Sequence, residues 1–246
     1  MSRVQTTDRS FGYPPRDGHR PPGLPAGRGL TLARLPPGWV RVDCQLHTVW
    51  SGDASTTLDQ LASRVAAVGL DVVCVTDHHT LDGARRAVER GIGARVVVGE
   101  EVRTPVGELI GLFLTDRVPY VLPVEEVVAR IRAQGGLVYA PHPLDRHRRG
   151  VGERWLDTLA AAGSIDVVEV FNAKVRDARD NELAAEVARH HGLPGGAGSD
   201  AHDPEGVGAA YLEMPDFDGP DGFLAGLRSA RVVGEFRDHA PRYRRA

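Results

Sequence analysis

The chain has 246 residues, of which 41% are hydrophobic, and its net charge is −3 with an isoelectric point near 6.4. This charge balance provides no global basic field, so nothing points to a protein that binds duplex nucleic acid through non-specific attraction. No apolar run reaches the ~18 residues of a membrane span or resembles the core of a signal peptide. The two cysteines, Cys44 and Cys74, are too few for a disulfide framework. We expect a cytoplasmic protein without a membrane partner, and the composition favours no particular oligomeric state.

The first 38 residues are rich in proline, glycine and arginine and show no hydrophobic periodicity. Such a segment buries too little apolar area to offset its ordering entropy, so residues 1–38 are expected to be disordered. Residues 39–236 are then predicted to form a single domain, whose length suits an α/β barrel. Residues 237–246 are predicted to form a basic tail.

Strand and helix signals alternate through this domain. Short β-branched runs predict strands, and amphipathic stretches between them predict helices. In chain order the predicted elements are the strand Val40–His47, the helix Thr57–Val68, the strand Asp71–Val75, the helix 80–91, the strands Arg95–Gly99 and Glu108–Leu114, the helix 124–134, the strand Leu137–Ala140, the helix 153–162, the strand Asp166–Phe171, the helix 179–191, a strand at 195–198 and a last strand Val232–Phe236. This order predicts an α/β fold with a mostly parallel sheet, open or closed, that binds ligands at the carboxyl ends of its strands.

Five clusters of acidic residues and histidines follow the predicted strands. Each cluster stands where a hydrophobic strand ends, and parallel strands bring such ends to one face of the sheet. The clusters are Asp43–His47 with Asp53, Thr76–His78, Glu100–Glu101, Pro141–Pro143 and Ser199–His202. Imidazole and carboxylate groups are common ligands of divalent metal ions, so the clusters together predict a multinuclear metal site.

The first cluster lies at the end of the first predicted strand. Alternate side chains of a strand share a face, so Asp43, Gln45 and His47 are expected to point the same way. A single histidine is more often structural, but the neighbouring clusters favour His47 as a metal ligand. Asp53 lies in a turn, where a ligand and a cap of the backbone are equally expected.

The second and third clusters each contain two acidic or histidine residues side by side. Asp77 is expected either to orient the imidazole of His78 or to cap the following helix. One of Glu100 and Glu101 is expected to project into the site, where its carboxylate could bridge two cations. The alternative for this glutamate pair is a surface turn.

The last two clusters complete the set of candidate ligands. Two flanking prolines fix the backbone around His142 and present its side chain in a rigid geometry. Asp200 and His202 are two positions apart, so in extended chain they share a face.

In this order, the clusters resemble the motifs of the polymerase and histidinol phosphatase family, known as the PHP domain. The resemblance covers about residues 40–212. It rests on Asp43-Cys-Gln-Leu-His-Thr48, Thr76-Asp-His78, Gly99-Glu-Glu101, Pro141-His-Pro143 and Ser199-Asp-Ala-His202. It implies a distorted (β/α)7 TIM-like barrel with two or three divalent cations (Mn, Zn, Fe or Mg) in its mouth. It also implies phosphoesterase activity, which most characterised members have.

The resemblance further implies how the ligands divide among the metals. His47, Glu101 and Asp200 would hold one metal, and Glu101 would bridge to a second metal that His142 also binds. A third metal would lie among Asp53, His78 and His202. Many relatives have another histidine soon after the glutamate motif, and here only Glu108 could take its place.

One position departs from the family pattern, because Gln45 stands where the first motif has a histidine. An amide oxygen is a weaker ligand than imidazole for zinc-like ions and suits a harder cation better. The change is therefore expected to weaken one metal, to shift the preference toward Mn or Mg, or to leave that metal out.

The ligand set predicts hydrolysis of a small phosphate ester, a nucleotide or an oligonucleotide end. A metal-activated water is the expected nucleophile, and no side chain is assigned that role. Cationic and polar contacts to the substrate are expected from the loops on the same face. The candidates are Arg103, the run Arg146–Arg149, and Lys174 with Arg179, and on weaker grounds Asn172 and Glu169. For at least half of the charged candidates, the alternative is a solvated surface charge.

Two other functions remain open on the sequence. An amidohydrolase-like enzyme could cleave C–N bonds with similar ligands. A degenerate, non-catalytic metal-binding or regulatory module is suggested by Gln45.

Overall fold

A computed structural model describes residues 34–236, which contain nine β-strands and six α-helices. The predicted disordered segment, up to residue 33, and the predicted basic tail lie outside the described residues. No helix in the described part of the chain has the length and apolar character needed to cross a membrane. The elements are β1 (Trp39–Leu46), α1 (Leu58–Val68), β2 (Val72–Val75), α2 (Asp82–Arg90), β3 (Arg95–Thr104), β4 (Gly107–Leu112), α3 (Val124–Arg132), β5 (Leu137–Ala140), α4 (Glu153–Ala161), β6 (Val167–Asn172), α5 (Ala178–His190), β7 (Gly195–Gly198), β8 (Ala210–Pro215), α6 (Gly219–Leu227) and β9 (Arg231–Gly234).

The nine strands form one sheet in the order β7-β6-β5-β4-β3-β2-β1-β8-β9. Strands β1, β2 and β3 are parallel to one another, as are β5, β6 and β7. Strand β4 is antiparallel to both β3 and β5 because a tight turn, rather than a helix, joins it to β3. Strands β8 and β9 extend the sheet beyond β1 in antiparallel pairs.

The sheet closes where the end of β7 meets the end of β1. Leu46 and Ala201 form a parallel bridge between them. The backbone N–H of His47 donates to the carbonyl of Ala201 (2.9 Å), and the N–H of Asp200 donates to the carbonyl of Gln45 (2.7 Å). The seven strands β1–β7 therefore form a nearly closed, distorted barrel, as the family resemblance implied.

Apolar side chains fill the barrel below the carboxyl ends of its strands. Val72, Cys74 and Tyr139 lie in this inner cluster, and α6 contributes Phe223 and Leu227 to it. Two further clusters fill the space between the outer face of the sheet and the helices. Truncating a fully buried leucine or phenylalanine here would cost about 2–5 kcal/mol of stability. The polar end of the barrel is thus held on a rigid base.

Three elements differ from the sequence expectation. Strand β8 and helix α6 were not predicted. Strand β3 runs on to Thr104, so Glu100 and Glu101 lie within the strand rather than after it. Strand β4 pairs with this extension, with Glu101 opposite Ile110 and Arg103 opposite Glu108. This pairing is why β3 does not end at Gly99.

Candidate metal centre

The predicted ligands come together at the carboxyl ends of the barrel strands. A cavity of about 230 Å³ opens there, and its walls combine carboxylates and imidazoles with basic side chains. The ligand candidates in its walls are Asp53, His78, Glu101, Glu108, His142 and His202. His47 and Asp200 lie beneath them and are fully buried.

Glu101 lies at the centre of the cluster. Its Oε2 is 3.2 Å from Nε2 of His47 and 3.4 Å from Nδ1 of His78. Its Oε1 is 3.1 Å from Nε2 of His142. Glu100, the next residue along β3, points the other way, and its carboxylate accepts a hydrogen bond from the backbone of Val118 (2.8 Å). Because its two oxygens face different histidines, Glu101 has the geometry of a bridging carboxylate.

Ser51 orients two of the histidines. Its hydroxyl lies 2.9 Å from Nδ1 of His47 and accepts a hydrogen bond from the backbone N–H of His78, also at 2.9 Å. The other ring nitrogen of His47, Nε2, then faces Glu101 and lies 3.4 Å from Oδ1 of Asp200. Metal-binding histidines commonly have one nitrogen held in this way while the other faces the ion.

Asp53 joins His78 and His202 on the outer side of the cluster. Its Oδ2 is 3.4 Å from Nε2 of His78 and 3.6 Å from Nε2 of His202. The other ring nitrogen of His202, Nδ1, lies 2.9 Å from the backbone carbonyl of Asp200 and 2.8 Å from Nζ of Lys174. The three residues that the resemblance grouped around a third metal are therefore neighbours.

Glu108 reaches the site through the β3–β4 hairpin. The side chain is buried, and its backbone N–H donates to the carbonyl of Arg149 (3.0 Å). Single ligand atoms of Glu101, Glu108 and His142 lie within 4.8 Å of one another, as do single nitrogens of His47, His78 and His202. Burial raises the pKa of Glu108 to about 7, and the negative charge of Glu101 adds to the effect.

The donor set fits divalent cations. Four of its buried atoms have no hydrogen-bond partner among the described residues, and the three that belong to His47, His78 and Asp200 face other donors of the cluster. The four atoms are Nε2 of His47, Nδ1 of His78, Nδ1 of His142 and Oδ1 of Asp200. Buried polar atoms are rarely left without partners, and a cluster of them at one place fits a site that binds a cation. Nitrogen and carboxylate donors in these numbers suit Mn, Zn or Fe.

The charges within the cluster are strongly coupled. Burial alone would raise the pKa of Glu101, but the positive charge of His78, the hydrogen bond with His142 and the nearby imidazole of His47 hold it well below its usual range. Burial would lower the pKa of His47, but its contacts with Asp200 and Glu101 raise that pKa to about 10. Protons and divalent cations compete for these nitrogens, so metal binding at this cluster releases protons.

Gln45 lies at the inner end of the site, between Glu101 and Glu169. In one orientation its amide nitrogen is 3.4 Å from Oε1 of Glu101. With the amide turned by a half-turn, the nitrogen donates to both oxygens of Glu169 at 3.1 Å, and the amide oxygen faces Glu101 instead. The hydrogen bonds of the second orientation, at 3.1 Å, are shorter than those of the first, at 3.4 Å. The second orientation also presents an oxygen, rather than an N–H group, to the metal ligands.

Glu169 is fully buried and bonded on both of its oxygens. It accepts hydrogen bonds from the hydroxyl of Tyr139 (2.9 Å), the backbone N–H of His142 (2.7 Å) and the side-chain amide of Asn172 (2.9 Å). Burial raises the pKa of its carboxyl group to about 7. The hydrogen bond to His142 matters because this residue has an unusual backbone φ of 27°. Glu169 therefore fixes the backbone that presents a ligand.

Two predicted residues lie near the ligands but do not face the metal positions. Asp43 accepts hydrogen bonds from the backbone of Ser199 (2.9 Å) and Gly208 (3.1 Å), and a register irregularity between Asp43 and Leu46 takes it off the face of Gln45 and His47. Asp77 accepts two hydrogen bonds of 2.6 Å from Thr48, and helix α2 has no side-chain cap. Asp77 thus neither orients His78 nor caps the helix, and both carboxylates join strand ends.

The basic residues of the cavity wall are partly those that the sequence suggested. Arg103 and Lys174 line the cavity, and burial lowers the pKa of Lys174 to about 8. Arg148 also lines it, with Nη1 2.5 Å from Oδ2 of Asp200. The other basic residues in the wall are His147, Arg149 and Arg176.

Three substrate-contact candidates lie elsewhere. Arg146 and Arg179 are exposed and outside the cavity wall. Asn172 is buried beneath the ligands, where its side-chain amide donates to Asp200 (3.1 Å) and to Glu169. Arg146 differs from Arg148 because Asp145 starts a short 3-10 helix that turns only the later arginine inward. Of these two arginines, Arg148 rather than Arg146 lines the cavity.

Sequence reasoning did not single out Ser51 or Arg148 individually. Ser51 belongs to an ordinary turn sequence, and only the folded chain places its hydroxyl between two histidines. Arg148 could have been found only as one member of a basic run that follows His142.

Comparison with known proteins places these motifs in a family. The model of the PHP domain matches residues 43–120, and a second model described as PHP-associated matches residues 178–232. An uncharacterized protein of Methanocaldococcus jannaschii is 35% identical over 157 residues, which are 59% of this chain and 89% of that protein.

Solved structures resemble the fold at lower identity. A two-domain Bacteroides vulgatus protein containing a predicted PHP-like metal-dependent phosphoesterase matches with a TM-score of 0.67 and 16% identity, over 85% of this chain and 70% of that one. An amidohydrolase from Chromobacterium violaceum, with bound sulfate and no metal, matches with a TM-score of 0.56 and 18% identity, over 78% of this chain and 97% of that one. Both family models are of the PHP type, the solved structures share the barrel, and the chain belongs to the PHP-domain family.

Proposed function

We propose that the protein is a metal-dependent phosphoesterase that hydrolyses a small phosphate ester, a nucleotide or an oligonucleotide end. Family membership and the buried histidine–carboxylate cluster support a metal-dependent hydrolase. The finer assignment to phosphate esters rests on the basic wall of the cavity. Arg103, Arg148, Arg149, Lys174 and Arg176 line the same cavity as the ligands.

The basic wall favours a substrate with concentrated negative charge. Several carboxylates of the cluster carry negative charge, and an anionic substrate would be repelled without compensating cations. Guanidinium groups bind phosphate oxygens through paired hydrogen bonds, whereas an ammonium group acts as a point charge. Arg148 and Lys174 both lie within contact distance of a ligand residue. They are therefore the best placed to hold phosphate oxygens at the metal ligands.

Each residue of the candidate site has a distinct role in this proposal. His47, His78, His142 and Glu101 would hold the cations together with the remaining acidic ligands. Ser51 contacts the imidazole of His47 and the backbone N–H of His78. Divalent ions held there would activate a water molecule and stabilise charge on the phosphate oxygens. No serine or cysteine is assigned as nucleophile, so the chain itself contributes binding, orientation and charge.

We also propose that the site prefers manganese or magnesium over zinc at its inner end. The amide oxygen of Gln45 takes the place of an imidazole nitrogen in the family motif, and hard oxygen donors suit these harder ions. The hydrogen bonds to Glu169 support the orientation in which this oxygen faces Glu101.

Two other functions have less support. A C–N hydrolase could use the same ligands, and the likeness to an amidohydrolase concerns the fold. Its substrates would not require the five cationic side chains of the wall. A non-catalytic metal-binding module is favoured by Gln45 alone, while the other predicted ligands are present and close together.

The test combines metal content with activity. The protein is purified without chelator, its metals are quantified, and hydrolysis of a panel of phosphate esters is measured with added Mn²⁺. Two or more ions per chain are expected, with activity lost in both Asp200→Ala and His142→Ala. Asp157→Asn, which removes an exposed carboxylate on α4, serves as the control. Bound metal without hydrolysis of any ester would overturn the phosphoesterase proposal, and less than one ion per chain after reconstitution would favour the non-catalytic module.

A further inference from the structure

An aromatic stack lies beside the mouth of the metal cavity. The rings of His79 and Tyr120 are nearly parallel, with 26° between their planes and 4.5 Å between their centroids. His79 follows the ligand His78, and the centroids of these two imidazoles are 5.9 Å apart. Tyr120 is 50% exposed although His79 covers part of its ring. A large part of the Tyr120 ring is therefore open to solvent, and only the ring of His79 separates it from the candidate ligand His78.

The segment that carries Tyr120 is fixed on both sides of the ring. The backbone N–H of Val118 donates to the buried carboxylate of Glu100 (2.8 Å), and Val118 is itself fully buried. The N–H of Val121 donates to the carbonyl of Arg103 (2.8 Å). Tyr120 thus lies between two anchors to strand β3, and its position relative to the cavity is set by that strand.

The backbone at the stack adopts conformations that side chains usually avoid. His79 has φ of 59° and Val121 has φ of 63°, both in the left-handed region. This region is a clear outlier for a β-branched residue such as valine. Strained residues persist only where the surroundings fix them, and they concentrate at ligand-binding sites. Val121 also leaves an apolar side chain 59% exposed next to Tyr120.

Positive charge connects the stack to the cavity. Arg103 lines the cavity, with Nε 3.7 Å from Oε1 of Glu108, and its backbone holds Val121. The guanidinium carbon of Arg117 lies 5.8 Å from the centroid of the Tyr120 ring. A ligand whose phosphate enters the cavity would have both arginines near the part that extends toward Tyr120.

We propose that Tyr120, supported by His79, is a stacking platform for the base of a nucleotide whose phosphate lies among the metal ligands. The proposal rests on the proposed phosphoesterase function and narrows its substrate to nucleotides. Every nucleobase has a planar π-face, and stacking on an aromatic side chain contributes to binding without selecting one base. A sugar separates base from phosphate, which is why the platform lies outside the ring of ligands.

The test compares two substrates that differ only by the base. Adenosine 5′-monophosphate and ribose 5-phosphate carry the same phosphate ester, so the ratio of their kcat/KM values reports on the base alone. Native protein is expected to favour the nucleotide, and Tyr120→Ala to lower the ratio about tenfold. Tyr120→Phe keeps the ring and should keep the ratio. Trp155→Ala removes another partly exposed aromatic ring, on α4, and should leave both rates unchanged.

Failure of the platform and failure of the proposed function give different results. If both esters are hydrolysed, and Tyr120→Ala either lowers both rates equally or leaves both unchanged, the stacking platform is wrong. If the native protein hydrolyses neither ester, binding of the two compounds to the Mn²⁺-loaded protein is measured by calorimetry. Tighter binding of the nucleotide that is lost in Tyr120→Ala would then support the platform without the activity. Equal binding of the two compounds, or no binding of either, would overturn it.

Discussion

The guanidinium group of Arg148 lies 2.5 Å from the carboxylate of Asp200, and both side chains border the metal-ligand cluster. The two oxygens of Asp200 thereby have different surroundings. Oδ1 faces His47 and His202, while Oδ2 faces Arg148 and the amide of Asn172. The positive charges of Arg148 and Lys174 hold the pKa of Asp200 well below its usual range, although burial acts in the opposite direction. Asp200 is therefore expected to be ionised, which is the form in which a carboxylate binds a metal.

Replacing Arg148 should impair substrate binding more than replacing the neighbouring arginine. We expect Arg148→Ala to lower kcat/KM for phosphate esters by roughly 10- to 100-fold, because hydrogen bonds to a charged group contribute about 1.5–3 kcal/mol. Arg146→Ala removes the same charge from an exposed position and should change kcat/KM less than about threefold. Steady-state kinetics on both variants measures the difference. A larger loss in Arg146→Ala would contradict the assignment of Arg148.

Gln45→His should change the metal preference of the site. An imidazole nitrogen in place of the amide oxygen is expected to raise the affinity for zinc relative to manganese by on the order of tenfold. Competition between the two metals, followed by metal analysis of the dialysed protein, measures this ratio. An unchanged ratio would mean that Gln45 does not face a metal.

Glu169→Gln tests the hydrogen bonds behind Gln45 and His142. The variant keeps the shape of the side chain, but only one of its two terminal atoms can accept hydrogen bonds. It therefore loses hydrogen bonds from the backbone N–H of His142 or from the side-chain amide of Gln45. We expect Mn²⁺ affinity to fall about 10- to 100-fold, as for other residues that position metal ligands. Isothermal titration measures the affinity, and unaltered binding would show that Glu169 serves stability alone.

Ser51→Ala removes the hydroxyl that His47 and His78 share. The imidazole of His47 would then lose the contact on Nδ1 that directs Nε2 toward Glu101, and we expect about tenfold weaker metal binding. Ser63→Ala is the matched control, because Ser63 is exposed on helix α1 and bonds only to the backbone of Asp59. Equal metal affinity in the two variants would argue against an orienting role for Ser51.

Metal binding should stabilise the fold. At a metal concentration about 100 times the dissociation constant, the gain is about 2.7 kcal/mol, or roughly 5–10 °C in melting temperature for a domain of this size. Thermal unfolding with Mn²⁺ and with chelator measures the shift. Asp200→Ala should remove most of it. A shift of equal size in that variant would place the bound metal elsewhere.

The alternation of strands and helices was sufficient to predict an α/β fold with a mostly parallel sheet, because apolar runs and their spacing reflect burial along the whole chain. The closure of that sheet into a barrel was implied only by the family resemblance. Helix α6 was missed because Pro220, Gly222 and Gly226 weaken its helical signal. Its packing against the base of the barrel stabilises it instead, through Phe223 and Leu227. Strand β3 was predicted too short because its last residues are charged, and their partners in β4 become visible only in the folded chain.

The positions of the ligand candidates followed from strand ends, except for Glu101, which lies within β3. Their orientations required the structure. The register irregularity between Asp43 and Leu46 turns Asp43 away from the face of Gln45 and His47. No residue type in that stretch predicts the irregularity. Arg148 lies in the short 3-10 helix that Asp145 caps, and this helix directs its side chain toward the cavity. These features depend on single backbone angles, which hydrophobic periodicity does not encode.

The closing hydrogen bonds of the barrel have a consequence for how the protein exchanges its ions. The amides that join β1 to β7 belong to His47 and Asp200, whose side chains are also ligand candidates. If these side chains hold an ion, releasing the ion and separating the two strand ends would be linked events, since each removes restraints on the other. The rate of hydrogen exchange at the amides of His47 and Asp200 would accordingly report how often a bound ion dissociates.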